Sequence, residues 1–378
     1  MAALRGRLLF RVLLAVALLA PASVLFAQVW QSAADKETFA ARERDGVTYL
    51  LALGRLSTAL AQADAAATAG QAAPSEMLAR VLDTVTTVDQ RLGDRLRSHE
   101  RWADLRVKIQ ALPRAGADLA AIDSAYHTVG DLLVDLYAKV QTTSNLILDP
   151  VADTYYLQAI AAAELPGAVV AAAHLVDLAT IAAGEPAGQV SGLLDLAAAR
   201  ADALSPTDRT MAALTLAEEA TTSTTLGSSL VGPVDKFQLA VETLISSTAT
   251  ATLATTVRQD LARLRQARDG LVAAASGLST SVLAELDRLL ANRLADLRPQ
   301  QRVALAALAA AVLLAVLTIL LSTGRPMRGR RAPGREAVPG GIPADAGAAP
   351  ADLSWPGRAS PDGARLDAGW RERSGAAR

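Results

Sequence analysis

Residues 303–321 read VALAALAAAVLLAVLTILL, an uninterrupted apolar run in which Thr318 is the single polar member. Arg302 bounds it on one side, and Arg325, Arg328, Arg330, Arg331 and Arg335 follow it on the other. A soluble core helix of this length carries a polar stripe, so the run predicts a helix that crosses a bilayer. Leu8 to Phe26 is a second, nearly apolar stretch, preceded by Arg5 and Arg7, interrupted by Arg11, and followed by Trp30 where an interfacial ring belongs. Ala20-Pro21-Ala22 resembles a small-x-small cleavage site, so a removed signal peptide is the alternative to a first span. Apolar character continuing through Val24, Leu25, Phe26 and Val29 favours the uncleaved span. Arginines on the outer flanks of both runs mark the cytoplasmic side, which puts both termini inside the cell and residues 31–302 outside it.

The apolar content, 51% hydrophobic with only 3% aromatic, comes from Ala, Leu and Val and favours helix over strand. The net charge of −1 gives the protein no overall field that would draw nucleic acid. With no Cys in the chain, neither a disulfide framework nor a thiolate metal site is possible. HExxH, Walker A, GxSxG and dinucleotide glycine patterns are all missing, so we expect no catalytic residues, no cofactor and no enzyme activity. His99, His127 and His174 fall far apart on separate expected helices, as ordinary surface or partly buried histidines rather than a metal site.

Between the spans the hydrophobic period is helical throughout. Tyr49, Leu53, Leu56 and Leu60 form one seam, and Leu78, Leu82, Val85, Leu92 and Leu96 a second with Asp89 in register. Val257, Leu261, Leu264, Leu271, Leu278 and Val282 make a third, with Arg268 and Ala275 at two seam positions. Helix enders predict breaks at Gly70 to Pro74, Pro113 to Gly116, Asp149-Pro150, Gly184 to Gly188, Ser205-Pro206 and Gly227 to Pro233. From Asp235 one long helix is expected to run to the membrane, a rod of about 90 Å at 60 residues, stabilised by the helix leaving the first span. The Thr/Ser/Ala-rich stretch 212–256 allows either close helix approach or a frayed helix. The fold expected is therefore all-α: a long antiparallel helical bundle, in one module or two stacked ones, flanked by two transmembrane helices. Residues 1–30 hold the N-terminus and first span, 31–302 the outer domain, 303–321 the second span, and 322–378 a disordered Arg/Pro/Gly-rich tail.

Two segments concentrate polar and aromatic side chains beyond what a plain helix needs. Phe39 to Tyr49 contains Arg42, Glu43, Asp45, Gly46 and Tyr49, read either as a close helix contact at Gly46 with a charged face, or as a binding surface. Ser144 to Tyr156 contains Asn145, Asp149, Asp153, Tyr155 and Tyr156 around Pro150, where a helix ends near Leu148. There Asp149 or Asp153 caps the next helix, or the acids and paired tyrosines line a pocket between helices.

The run Phe39-Ala-Ala-Arg-Glu-Arg-Asp-Gly-Val-Thr-Tyr49-Leu50 and Glu100-Arg101-Trp102 with Leu105 belong to one pattern, in order and spacing, with a third run. That run is Ser144-Asn145-Leu146-Ile147-Leu148-Asp149-Pro150, leading into Asp153-Thr154-Tyr155-Tyr156-Leu157 and Leu165-Pro166. The pattern resembles the helical extracytoplasmic sensor region of bacterial methyl-accepting chemotaxis receptors and of related membrane histidine kinases and diguanylate cyclases. The resemblance covers residues 1–175 by motif and extends to 321 by architecture. It implies a homodimeric helical sensor in a bacterial inner membrane that moves its second span relative to its first. Gly324-Arg325-Pro326-Met327 looks like the opening of a HAMP linker, but Gly, Pro and Arg then break its heptads. The expectation is a stand-alone sensor acting on a separate signalling protein, with a structural envelope protein as the alternative. Arg42, Arg101 and Arg106 are candidates for pairing a small anionic ligand, with Trp102 one turn from Arg106; surface charge is the plainer role.

Overall fold

The computed structural model describes the backbone of residues 2–113, 116–147, 152–184, 190–221, 226–249 and 254–323, with side chains over most of that range. Among these residues there are helices and no strands. They are α1 (Ala2–Thr68), α2 (Ser75–Leu96), α3 (His99–Gln110), α4 (Leu119–Thr143), α5 (Ala152–Ala159), a π segment (Ile160–Glu164), α6 (Leu165–Gly184), α7 (Val190–Ala220), α8 (Leu226–Ala249) and α9 (Ala254–Thr323). The tail from residue 324, expected to be disordered, lies outside the described residues.

Helix ends follow local chemistry. Gly70 takes a left-handed φ of 70° just beyond α1, and its N–H bonds Ala67 O while that of Gln71 reaches Ala66 O at 2.8 Å. This is the Schellman pairing, which satisfies carbonyls a helix end would leave open. Arg97 and Ser98 repeat it on Asp94 O and Gly93 O at the end of α2, with Arg97 left-handed at φ 49°. Asp118 opens α4, its carboxylate accepting from Ala121 N at 3.3 Å. The π segment has its cause in Pro166, which cannot donate to Ala162 O and whose ring crowds that carbonyl. One residue earlier, Leu165 N–H skips to Ile160 O, widening the turn instead of breaking the helix.

Two of the expected breaks do not occur. α7 runs through Pro206 and α8 through Pro233. Pro206 and Thr207 are buried, with Pro206 packed near Gly167, so the lateral hold of α6 outweighs the lost hydrogen bond. The single rod expected from Asp235 is also corrected. α8 ends at Ala249, α9 begins at Ala254, and the two pack against each other, with Ser229 Oγ in reach of Glu285 Oε2 at 3.5 Å. Leu230, Phe237 and Leu244 recur every seven residues along α8 and are all buried, which supplies the apolar contact that favours a doubled-back pair over a lone rod.

The partner of α9 is otherwise as expected: it lies along α1, antiparallel, and Arg44 grips Asp287 through Nε at 2.7 Å and Nη2 at 3.3 Å. One apolar core runs through α1 to α9, and it contains Tyr49, Leu53, Leu56 and Leu60 from the first seam, Val85, Leu92 and Leu96 from the second, and Leu264, Leu271, Leu278 and Val282 from the third.

Among the described residues two helical stretches are long and apolar enough to cross a membrane, Thr154–Gly184 and Asp260–Leu317. They differ in burial: the apolar window of the first is 61% buried inside the protein, that of the second 6%. The first is thus covered by its neighbours as a core helix is, whereas Val303, Leu305, Val312, Leu313, Leu317 and Leu320 point outward. On α1, Leu13, Val16, Val24, Leu25, Val29 and Trp30 are exposed as well, beside an apolar cleft shared by Leu25, Phe26 and Val29 with Val303, Ala304 and Leu308. Contiguous exposed apolar surface of this kind marks a contact with a membrane or with another protein.

Candidate functional site

Four helices bring charged side chains into the core at one level. α1 places Ser57, Ala61, Asp64 and Thr68 on one stripe, α4 adds Asp123, Tyr126 and His127, α6 adds His174 and Asp177, and α9 adds Arg268. Asp64 continues the Tyr49 to Leu60 seam one step further, and Arg268 stands on the α9 seam, so each is carried inward by the apolar residues around it. Asp64, Asp177 and Arg268 are each only 3% exposed. A cavity of about 40 Å³ opens between α1, α4 and α6, with Ser57, Asp64, Tyr126, His127, His174 and Asp177 on its polar side and Leu60, Val129, Leu133 and Val169 on its apolar side.

Electrostatics in this cluster follow from burial. The Asp64 carboxyl is pushed up to about 9, first by loss of water and then by the neighbouring Asp177 charge, with Arg268 pulling the other way. Asp177 rises less, to about 6, because burial is opposed by hydrogen bonds from Thr68 and from Asp64. Thr68 Oγ1 donates to Asp177 Oδ1 at 2.8 Å. At neutral pH Asp64 therefore keeps its proton and gives it to a hydrogen bond with the ionised Asp177. Tyr126 is raised to about 12 by burial and by the same acids. His174 is raised by its hydrogen bond to Asp123, Nδ1 to Oδ1 at 2.8 Å, against the effect of burial. Its ring stacks on His127, centroids 4.2 Å apart and planes at 23°. The arrangement can hold a proton between two carboxyls and present acceptors to a small polar guest. Among the described residues no three His, Asp or Glu side chains converge as metal ligands.

The residues nominated from sequence lie elsewhere. Tyr49 is fully buried; its hydroxyl donates to Asp89 Oδ1 at 2.7 Å, and burial pushes the phenol far above its ordinary range. Asp89, 2% exposed, also takes Ser98 Oγ at 2.9 Å and His99 Nδ1 at 2.6 Å, so this carboxylate fastens α1, α2 and the start of α3 together. Trp102 is a core residue whose indole N–H is buried without a hydrogen-bond partner, while Arg106 is half-buried at its edge. Glu43 is buried and accepts from Gln158 Nε2 at 3.3 Å, and Arg293 reaches Thr154 Oγ1 at 2.6 Å, so α1 and α9 both meet α5 here. Gly46 makes the close contact expected of it: a Cβ there would overlap Ser144 Oγ and lie 2.5 Å from Ser144 Cβ.

α4 ends at Thr143 rather than near Leu148. Ser144 Oγ turns back to Val140 O at 2.6 Å and Asn145 takes a left-handed φ of 66°, a conformation that Asn tolerates. Tyr155 and Tyr156 touch edge to face, centroids 5.5 Å apart, with Tyr155 exposed and Tyr156 leaning on the core. Asp149 lies outside the described residues; Asp153 is in α5, and its side chain is likewise outside. Arg42 is exposed and Arg101 pairs with Asp135 at 3.5 Å; neither these two nor Arg106 lines the acid-rich cavity.

The Asp64, Asp177 and His127/His174 constellation was not nominated from sequence. Its one available signal was Asp64 standing four residues beyond Leu60, at the next seam position. No protein-family model matches this sequence, no curated protein is significantly similar to it, and no solved structure shares its fold significantly.

Proposed function

We propose that this protein is a stand-alone membrane sensor of the two-span, chemotaxis-receptor-like kind. In this reading a long antiparallel bundle, residues 31–302, stands outside a bacterial inner membrane, both termini are cytoplasmic, and the chain works as a homodimer that passes its state to a separate signalling protein. The observation that supports it best is continuity. α1 and α9 each run unbroken from an exposed apolar segment into the acid-rich core, so a change at Asp64 or Arg268 is carried by the same two rods that end in the lipid-compatible stretches. A small sliding of packed helices is a recurrent way to carry a signal over such lengths. The resemblance of residues 39–50 and 144–166 to sensor regions points the same way.

The chain has no Cys, which makes site-specific labelling direct. Spin labels at Glu37→Cys and Asp296→Cys, both exposed, report the α1 to α9 distance near the apolar segments. The sensor reading expects that distance to shift with at least one condition in a panel of pH values, small amines, organic acids and inorganic anions. A distance that stays fixed throughout, together with one stable co-purifying membrane protein, would favour the alternative, a scaffold of the cell envelope.

A further inference from the structure

We propose that the cavity between α1, α4 and α6 is a binding site for a short primary ammonium compound, held through Asp64 Oδ1 and Ser57 Oγ. The inference rests on the sensor reading for its signalling consequence, though the binding itself does not depend on it. Two polar atoms in this cavity lack hydrogen-bond partners: Ser57 Oγ, on a residue 6% exposed, and Asp64 Oδ1, on one 3% exposed. Seven residues apart, they lie on the same face of α1 and line the same space. Buried polar atoms are nearly always paired, so two open ones in one cavity mark the seat of a guest that donates hydrogen bonds.

The chemistry of the walls selects the guest. Asp64 and Asp177 line the cavity and Asp123 holds His174 beside it, so the acids outnumber the positive charges near them, Arg268 and the His174 ring when protonated. An ammonium group supplies three donors and a positive charge to such acceptors. The opposite wall is hydrocarbon, from Val129, Leu133 and Val169, and suits a short alkyl stub. A volume of about 40 Å³ holds roughly two to three water-sized atoms, which suits methylammonium or ethylammonium, whereas a quaternary amine has no N–H to donate to either acceptor. His127, 45% exposed at its side chain, stands at the solvent edge.

Binding is proton-linked. The ammonium group forms an ion pair with the Asp64 carboxylate, and the proton that Asp64 shared with Asp177 leaves to solvent; that hydrogen bond is given up, the ammonium charge offsets the two facing carboxylates, and one positive charge enters as one departs. The groups facing Asp64 that bear on this exchange are Asp123, Tyr126 and His127 from α4, His174 and Asp177 from α6, and Arg268 from α9.

The test is calorimetric titration of the full chain in detergent micelles with methylammonium chloride, against sodium chloride and tetramethylammonium chloride. We expect saturable binding of methylammonium alone, an apparent affinity rising up to about tenfold from pH 7 to pH 8, and release of about one proton, read from buffers of different ionisation heat. Asp64→Asn is expected to weaken binding at least tenfold and to abolish the pH dependence. Ser57→Ala is expected to weaken it several-fold with the pH dependence intact, which keeps the proposal testable should the Asp64 variant fail to fold. Absence of binding to the natural chain, equal binding of tetramethylammonium, or a pH-independent affinity would overturn the assignment and leave a water-filled cavity, without touching the sensor reading. Binding that leaves the Glu37 to Asp296 label distance unchanged would instead count against the sensor reading alone.

Discussion

Replacing Asp64 by Asn is expected to make the protein more stable at neutral pH and to flatten its loss of stability with rising pH. In the folded protein Asp64 keeps its proton up to about pH 9, because burial and then the Asp177 charge disfavour ionisation. In the unfolded chain it releases that proton near its ordinary value of 3.8. Between these values the folded state binds one more proton than the unfolded state, so unfolding is favoured by about 1.4 kcal/mol per pH unit. The stability contributed by the retained proton is complete below the unfolded value and is lost progressively as pH rises toward the folded one. From pH 5 to pH 7 the loss is on the order of 2–3 kcal/mol. Asn has the shape of the protonated acid, donates to Asp177 in the same way, and does not titrate. Equilibrium denaturation of both chains in detergent micelles at pH 5, 6 and 7 measures the difference directly. Asp177 and the other titrating groups remain in both chains, so the difference between the two profiles reports the proton that Asp64 brings to its pair with Asp177. Parallel profiles would refute the assignment of a buried, protonated carboxyl.

Gly46→Ala is expected to destabilise by about 1–3 kcal/mol, since its new methyl group meets Ser144 Cβ, and Ser144→Gly in the same chain is expected to restore most of the loss, both read by denaturation. Tyr49→Phe leaves buried Asp89 without one of its donors and is expected to cost about 1–3 kcal/mol, with His99→Ala in the Tyr49→Phe background costing further. Arg44 and Asp287 are each more than two-fifths exposed at their side chains, so a double-mutant cycle across α1 and α9 is expected to return no more than about 1 kcal/mol in spite of the 2.7 Å contact.

The seams written in the sequence account for much of the fold. Tyr49, Leu53, Leu56 and Leu60 are buried as their spacing requires, and so are Leu264, Leu271, Leu278 and Val282. The closures of α1 by Gly70 and of α2 before His99 are equally local, since a left-handed residue and two backbone bonds complete each. Prolines misled where neighbours intervened. Pro206 and Pro233 end helices by propensity, yet each sits in a helix pressed against another, and the packing outweighs one missing hydrogen bond. The reversal between α8 and α9 likewise depends on Phe237 and Leu244 finding a partner surface, which no single segment specifies.

Most of the candidate site was out of reach for the same reason. Trp102 stands out by residue type but is core, while Asp64 and Asp177 lie in Ala- and Leu-rich helices that give no local sign of a site. Nothing in a linear chain relates His127 on α4 to His174 on α6; in space they stack. Sequence alone determined what is local and periodic in this protein: helices rather than strands, seams at three- and four-residue steps, and an apolar run long enough to cross a membrane. Tertiary structure alone decided which seam residues meet, that α9 starts at Ala254 and lies along α1, and that two carboxyls share one buried space. The division has a physical cause: backbone hydrogen bonds and hydrophobic periodicity act over a few residues, whereas pairing buried charges depends on helices that meet only after the chain has packed.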